Sequence, residues 1–163
     1  MKQMNADKSS MNVITESSMS IYTEPSIKNT TKTFIDTNVL IYAFTADEPN
    51  KRNIALEYID ECQSVISAQV LKEFSNVLLK KGNINHEEIK IIINGIIEVT
   101  SVIIDELAFV IGAFDIHKRY EYSFYDSLII TTALSAQCKA LLSEDMQDGQ
   151  IIDGSLRIIN PFR

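Results

Sequence analysis

Short runs of β-type residues alternate with amphipathic helical segments between residues 33 and 163, and this alternation limits the possible folds more than any other feature. The predicted strands are 33–35, 64–67, 100–104, 140–142 and 156–159. The predicted helices are 37–44, 50–61, 69–81, a segment that Asn85 opens, 107–114 and 124–137. Strands that alternate with helices favour right-handed parallel units. The pattern therefore predicts a single α/β domain, with a central parallel sheet and helices on both faces.

Single residues mark several helix ends. Asn85 lies three residues before Glu88, which is the spacing of a capping box with Asn in the capping position. Gly82 follows the helical run 69–81 and is predicted to end it. The segment 124–137 carries little charge, so we expect a central helix there.

Residues 1 to 32 differ in composition from the rest of the chain. Thirteen of them are Ser, Thr or Asn, and they show no periodic apolar pattern. Such a segment buries too little apolar surface to offset its ordering entropy. We therefore expect a flexible polar extension over 1–32 and one folded domain over 33–163.

Composition excludes several classes of protein. The chain has 15 basic and 22 acidic residues, a formal net charge of −7, which argues against a simple basic surface for nucleic acid. Its longest apolar run, 39–44, is far shorter than the ~18 residues that a membrane span needs. The two cysteines, Cys62 and Cys138, fit a reducing cytoplasm better than a disulfide framework.

Four acidic residues fall near the ends of predicted elements. Asp36 follows the first strand, Asp145 follows the strand 140–142, and Asp126 begins the low-charge helix. Glu73 lies at the flank of an apolar stripe, in the helix after the second strand. Ligand sites in open α/β sheets form outside the carboxyl ends of the strands. We therefore expect these four carboxylates to converge at one edge of the sheet.

Each of these acids also has a structural interpretation, and spacing alone leaves the choice open. Asp36 could cap the helix that follows it. Asp126 could form a capping box with Ser123. Asp145 could be a turn residue, and Glu73 could simply reach solvent.

The acidic residues lie in four short segments that resemble a PIN domain, most closely the VapC-type toxins of type II toxin–antitoxin systems. In order, the segments are Phe34-Ile35-Asp36-Thr37-Asn38-Val39-Leu40-Ile41-Tyr42, Val70-Leu71-Lys72-Glu73-Phe74, Tyr125-Asp126-Ser127-Leu128-Ile129 and Leu142-Ser143-Glu144-Asp145. The resemblance covers about residues 33–160. It implies a metal-dependent endoribonuclease that acts on RNA, forms a homodimer and has a cognate antitoxin protein as its partner.

The resemblance also implies the roles of particular residues. Asp36, Glu73, Asp126 and Asp145 would be the catalytic and metal-binding acids. Thr37 or Asn38, together with Ser143, would be the small polar groups that order them. Asp148 is either an additional acid of this pocket or part of the turn Gln147-Asp148-Gly149, and the turn is favoured.

Clustered carboxylates without His or Cys partners suit Mg²⁺ or Mn²⁺ better than zinc. His86 and His117 show no ligand spacing to a second His or Cys, so we interpret both as surface residues. Substrate-binding residues are unknown; several Lys and Arg residues could contact phosphates, but most are expected to be solvated.

Other classes of protein fit less well. A phosphatase of the haloacid dehalogenase type needs a second Asp at position 38, which is Asn38 here. A receiver domain needs a Lys after a late strand, where this chain has Ser143-Glu144-Asp145. The main alternative is a catalytically inactive PIN-like module that binds nucleic acid or protein. The residues also leave RNA and DNA open as substrates.

Overall fold

The computed structural model describes residues 31–45, 48–82 and 84–163. Strands and helices alternate along them as the sequence predicts. The strands are β1 (Lys32–Ile35), β2 (Gln63–Ser67), β3 (Ser101–Ile103), β4 (Ala140–Leu142), β5 (Ile151–Ile152) and β6 (Leu156–Ile159). The helices are α1 (Thr37–Phe44), α2 (Pro49–Glu61), α3 (Ala68–Lys81), α4 (His86–Val99), α5 (Leu107–Tyr120) and α6 (Phe124–Ser135).

The strands form one sheet in the order β3-β2-β1-β4-β6-β5. All neighbouring pairs are parallel except β5 and β6, which pair antiparallel. The predicted α/β fold with a mostly parallel central sheet is therefore confirmed. The sequence did not predict β5, because two residues at a sheet edge are too short to show a strand pattern.

The central strands are buried, as strands covered on both faces should be. Phe34 and Ile35 of β1 and Leu141 and Leu142 of β4 have no exposed surface. The helices form two packed groups: α1 contacts α2 and α3, α3 contacts α4, and α5 packs along α6. Within the described ranges, every helix is too short or too polar to cross a bilayer.

Local signals set the helix ends. The side chain of Asn85 accepts hydrogen bonds from the backbone of Glu87 and Glu88, and Glu88 completes the predicted capping box. Gly82 ends α3 with a positive φ of 68°, a backbone conformation that glycine adopts without strain. The last helix ends at Ser135 instead of residue 137, because Gln137 turns the chain with a φ of 59°.

The prediction of a flexible extension concerns residues that lie almost entirely outside the described part of the chain. Lys32, which that prediction includes, is the first residue of β1. The flexibility of residues 1–30 stays a prediction.

Candidate active site

The carboxyl ends of β1 and β4 place Asp36 beside Ser143. The two strands are adjacent and parallel, and the backbone N–H of Asp36 donates to the carbonyl of Leu142 at 3.0 Å. The Ser143 hydroxyl donates to Oδ2 of Asp36 at 2.8 Å. Asp36 also caps α1, since its Oδ1 accepts from the backbone N–H of Thr37 at 2.6 Å. Asp36 therefore both caps α1 and lies at the carboxyl edge of the sheet.

Glu73 reaches the same edge from α3. Its Oε2 accepts from the Thr37 hydroxyl at 2.8 Å, and its Oε1 accepts from Nε2 of Gln69 at 2.9 Å. Gln69 lies one turn before Glu73 on the same helix face, so the two side chains meet naturally. Thr37 thus connects the start of α1 to the acid on α3.

Asp145 and Asp126 have local partners as well. Asn38 donates from Nδ2 to Oδ2 of Asp145, across 107 residues of sequence. Oδ2 of Asp126 accepts from the Ser123 hydroxyl at 2.6 Å, and the backbone N–H of Asp126 donates to the same hydroxyl at 3.2 Å. Asp126 therefore takes part in the cap of α6 that its spacing suggested.

All four acids line one cleft of about 350 Å³ at the carboxyl edge of the sheet. Its other lining residues are Thr37, Asn38, Ile41, Gln69, Asn76, Val77, Tyr125 and Ile129. Of the three predicted supporting residues, Thr37 and Asn38 line the cleft and Ser143 bonds to Asp36. The structure thus brings the four acids together and gives each supporting residue a contact with one of them.

Asp36 is the most buried of the four acids, with 6% of its surface exposed. Burial raises the pKa of its carboxyl from 3.8 to about 6. This value already includes the hydrogen bonds from Ser143 and Thr37, which lower the pKa, and the negative charges of Asp126 and Glu73, which raise it. The cleft therefore concentrates negative charge that the described side chains only partly compensate, which is an environment that favours a cation.

The donor atoms suit a hard divalent cation, because the acids offer only carboxylate oxygens. Among the described residues, however, no three His, Cys, Asp or Glu side chains form a group that could hold a metal ion. Each carboxylate instead accepts hydrogen bonds from protein groups. The residue types therefore fit Mg²⁺ or Mn²⁺, and the side chains would have to exchange some of these bonds for a cation.

The remaining predicted residues lie outside the lining of this cleft. Asp148 lies in a turn, and its Oδ1 accepts from the backbone N–H of Asn160 at 2.9 Å. His86 and His117 are exposed on α4 and α5.

Sequence reasoning missed an anchor for the loop that carries Ser143 and Asp145. Glu144, between them, accepts from Nζ of Lys51 at 2.6 Å and from the Tyr42 hydroxyl at 2.7 Å. Lys51 also lies 4.4 Å from the centre of the Tyr42 ring. These partners are 93 and 102 residues from Glu144 in sequence, so no local signal could have indicated them.

Together, the fold and the cleft define an α/β domain with a carboxylate-rich site at the carboxyl edge of its sheet. Residues 33–147 match the family model of the PIN domain, and the chain belongs to that family.

Solved structures share this fold at low sequence identity. A toxin–antitoxin complex from Klebsiella pneumoniae matches with a TM-score of 0.61 and 20% identity, covering 79% of this chain and 97% of that one. VapC20 of Mycobacterium tuberculosis, a toxin that cleaves the sarcin–ricin loop, matches with a TM-score of 0.55 and 16% identity, covering 67% and 86%. VapBC2 of Rickettsia felis, bound to a promoter DNA fragment, matches with a TM-score of 0.58 and 15% identity, covering 79% and 99%. The fold is thus that of VapC-type toxins. No curated protein is similar enough in sequence to match.

Proposed function

We propose that this chain is a metal-dependent endoribonuclease, the toxin of a toxin–antitoxin pair. The observation that carries the proposal is the convergence of Asp36, Glu73, Asp126 and Asp145 on one cleft. Membership of the PIN domain family supports it, as does the likeness in fold to VapC20.

The four acids would hold one or two Mg²⁺ or Mn²⁺ ions. When bound, such an ion lowers the pKa of water and offsets negative charge on the scissile phosphate. The buried Asp36 carboxylate supplies charge at the base of the site, and Ser143 orients its Oδ2. Thr37 and Asn38 orient Glu73 and Asp145 from consecutive positions on α1. Without a cation, these bonds hold the acids at the cleft, and some of them would be exchanged for bonds to the ion.

A protein partner would cover the exposed apolar face of α5. Leu107, Ile111 and Phe114 follow one another at spacings of four and three residues and are 88%, 68% and 57% exposed. Contiguous apolar surface of this kind typically marks an interaction site. We propose a homodimer and a cognate antitoxin as the partners. The oligomeric state of the purified chain alone distinguishes them: a dimer would show that a second copy covers this face, and a monomer would leave it to the antitoxin.

We place this activity in the cytoplasm. Two cysteines in 163 residues suit a reducing compartment better than a disulfide framework.

Two alternatives remain distinct from this proposal. An inactive PIN-like binding module would not need all four carboxylates, and this chain retains them. DNA would also be a substrate if no protein contact recognises the 2′-hydroxyl that distinguishes RNA from DNA.

The test is cleavage of structured and single-stranded RNA by the purified protein, with Mg²⁺, with Mn²⁺ and with EDTA. Asp36→Asn and Asp126→Asn should abolish cleavage while the circular dichroism spectrum stays native. Asp60→Asn is a matched control, because Asp60 is an exposed acid on α2. Cleavage that persists in both cleft variants would refute the assignment, and activity only on DNA would correct the substrate.

A further inference from the structure

Tyr125 is a large aromatic residue at the cleft that the fold itself does not require. It lies in the first turn of α6, directly before Asp126, and lines the cleft with 64% of its surface exposed. Burial of an aromatic ring stabilises a fold, whereas an exposed ring contributes little. The position of this ring beside Asp126, a proposed catalytic acid, therefore needs another explanation.

The surroundings of Tyr125 suit a flat apolar ligand. Its ring meets that of Phe124 edge to face, with the centroids 5.7 Å apart and the planes at 74°. Ile41, Val77 and Ile129 add aliphatic surface to the same cleft. Metal ions and phosphate do not bind to apolar surface, but the flat face of a nucleobase can stack on it.

The net charge of this chain disfavours binding of a polyanion. The net charge is −7, and several basic side chains are already paired with acids. Lys51 binds Glu144, and Lys72 lies 2.8 Å from Asp105. Affinity for RNA would then depend on contacts to the bases as well as on contacts to phosphate.

We propose that Tyr125 is a specificity-determining residue, against which an unpaired base next to the scissile phosphate stacks. The proposal rests on the proposed ribonuclease function and adds the requirement for an unpaired base. Bases within a duplex already stack on both faces, so only a single strand, loop or bulge can offer a free face. A cleft of about 350 Å³ is at the small end of ligand sites, which fits one nucleotide.

The first experiment compares steady-state cleavage of a short single-stranded RNA by wild type, Tyr125→Ala and Tyr125→Phe. Tyr125→Ala should raise KM about 5- to 150-fold, the range that stacking on one aromatic side chain carries, with little change in kcat. Tyr125→Phe keeps the ring and should recover most of the affinity. Ile151→Ala is the control, since Ile151 is 58% exposed on β5 and outside the cleft lining.

A KM for Tyr125→Ala within twofold of wild type would overturn the proposal, as would a loss in kcat alone. That loss would show that Tyr125 only positions Asp126. If wild type cleaves RNA but Tyr125→Ala gives either of these two results, the proposed function stands while the stacking role of Tyr125 fails.

The second experiment needs no cleavage. The chain contains no tryptophan, so Tyr125→Trp introduces a single indole at the cleft. Stacking should quench its fluorescence when single-stranded RNA is added, and the same RNA annealed to its complement should quench it far less. Equal quenching by both forms, or none at saturation, would contradict the proposal whether or not the protein is a nuclease.

Discussion

Asp36→Asn should make the protein more stable while it destroys the proposed activity. The side chain is almost fully buried, and burial holds the pKa of its carboxyl at about 6, against an ordinary value of 3.8. The folded state therefore binds this proton more tightly than the unfolded state does. As the pH rises from 3.8 to 6, the unfolded chain loses its proton first, and the free energy of unfolding falls.

The magnitude follows from the size of this shift. A difference of about two pKa units corresponds to about 3 kcal/mol, at roughly 1.4 kcal/mol per unit. Asparagine keeps an acceptor for the backbone N–H of Thr37 and can donate to Ser143, so the helix cap survives. We therefore expect Asp36→Asn to stabilise the protein by about 1–3 kcal/mol at pH 8 and hardly at all at pH 3.5.

The assay is urea unfolding followed by circular dichroism, with EDTA present, across this pH range. The exposed residue Asp60 supplies the control variant Asp60→Asn, which should change stability by less than about 0.5 kcal/mol at either pH. If Asp36→Asn is as stable as wild type at pH 8, or less stable, burial does not destabilise the ionised Asp36 carboxylate.

Three further predictions concern packing, the anchor of the loop and metal binding. Gly112→Ala should destabilise the protein by about 1 kcal/mol in urea unfolding, because the new Cβ would lie 2.8 Å from Cγ2 of Thr131. The double variant Gly112→Ala with Thr131→Ser should recover this stability, and no recovery would show that the strain lies elsewhere. Lys51→Met should lower kcat for RNA cleavage more than it changes KM, because Glu144 loses its cationic partner and the loop that carries Ser143 and Asp145 loosens. Lys51→Arg keeps the charge and should restore kcat. An unchanged kcat in Lys51→Met would show that this anchor has no role in cleavage. Mg²⁺ at a hundred times its Kd should stabilise wild type at pH 8 by about 2.7 kcal/mol through mass action, measured as a higher melting temperature. The melting temperature of Asp36→Asn should not rise, and equal shifts would place the ion outside the cleft.

Features that depend on neighbouring residues were accessible from the sequence. The capping box at Asn85 and Glu88 and the helix end at Gly82 are local hydrogen-bond and backbone effects, and both are confirmed. The predicted edge of the sheet does carry Asp36 and Asp145, because strand ends follow directly from hydrophobic patterning. Their catalytic roles stay a proposal.

Features that depend on distant parts of the chain were not accessible. The bond from Thr37 to Glu73 and the bond from Lys51 to Glu144 join residues 36 and 93 positions apart. The burial that raises the pKa of Asp36 also depends on the packing of several elements. The short strand β5 is defined by its pairing with β6, and its two residues alone carry too weak a signal.

The proposed function depends most on the cleft being the metal centre of this protein. The most direct test is a titration of Mn²⁺ into metal-free protein at pH 8, with bound ion measured by electron paramagnetic resonance. We predict one or two bound ions in wild type and in Asp60→Asn, and much weaker binding in Asp36→Asn and Asp126→Asn. Equal binding by all four proteins, or no binding by wild type, would contradict a metal centre in the cleft.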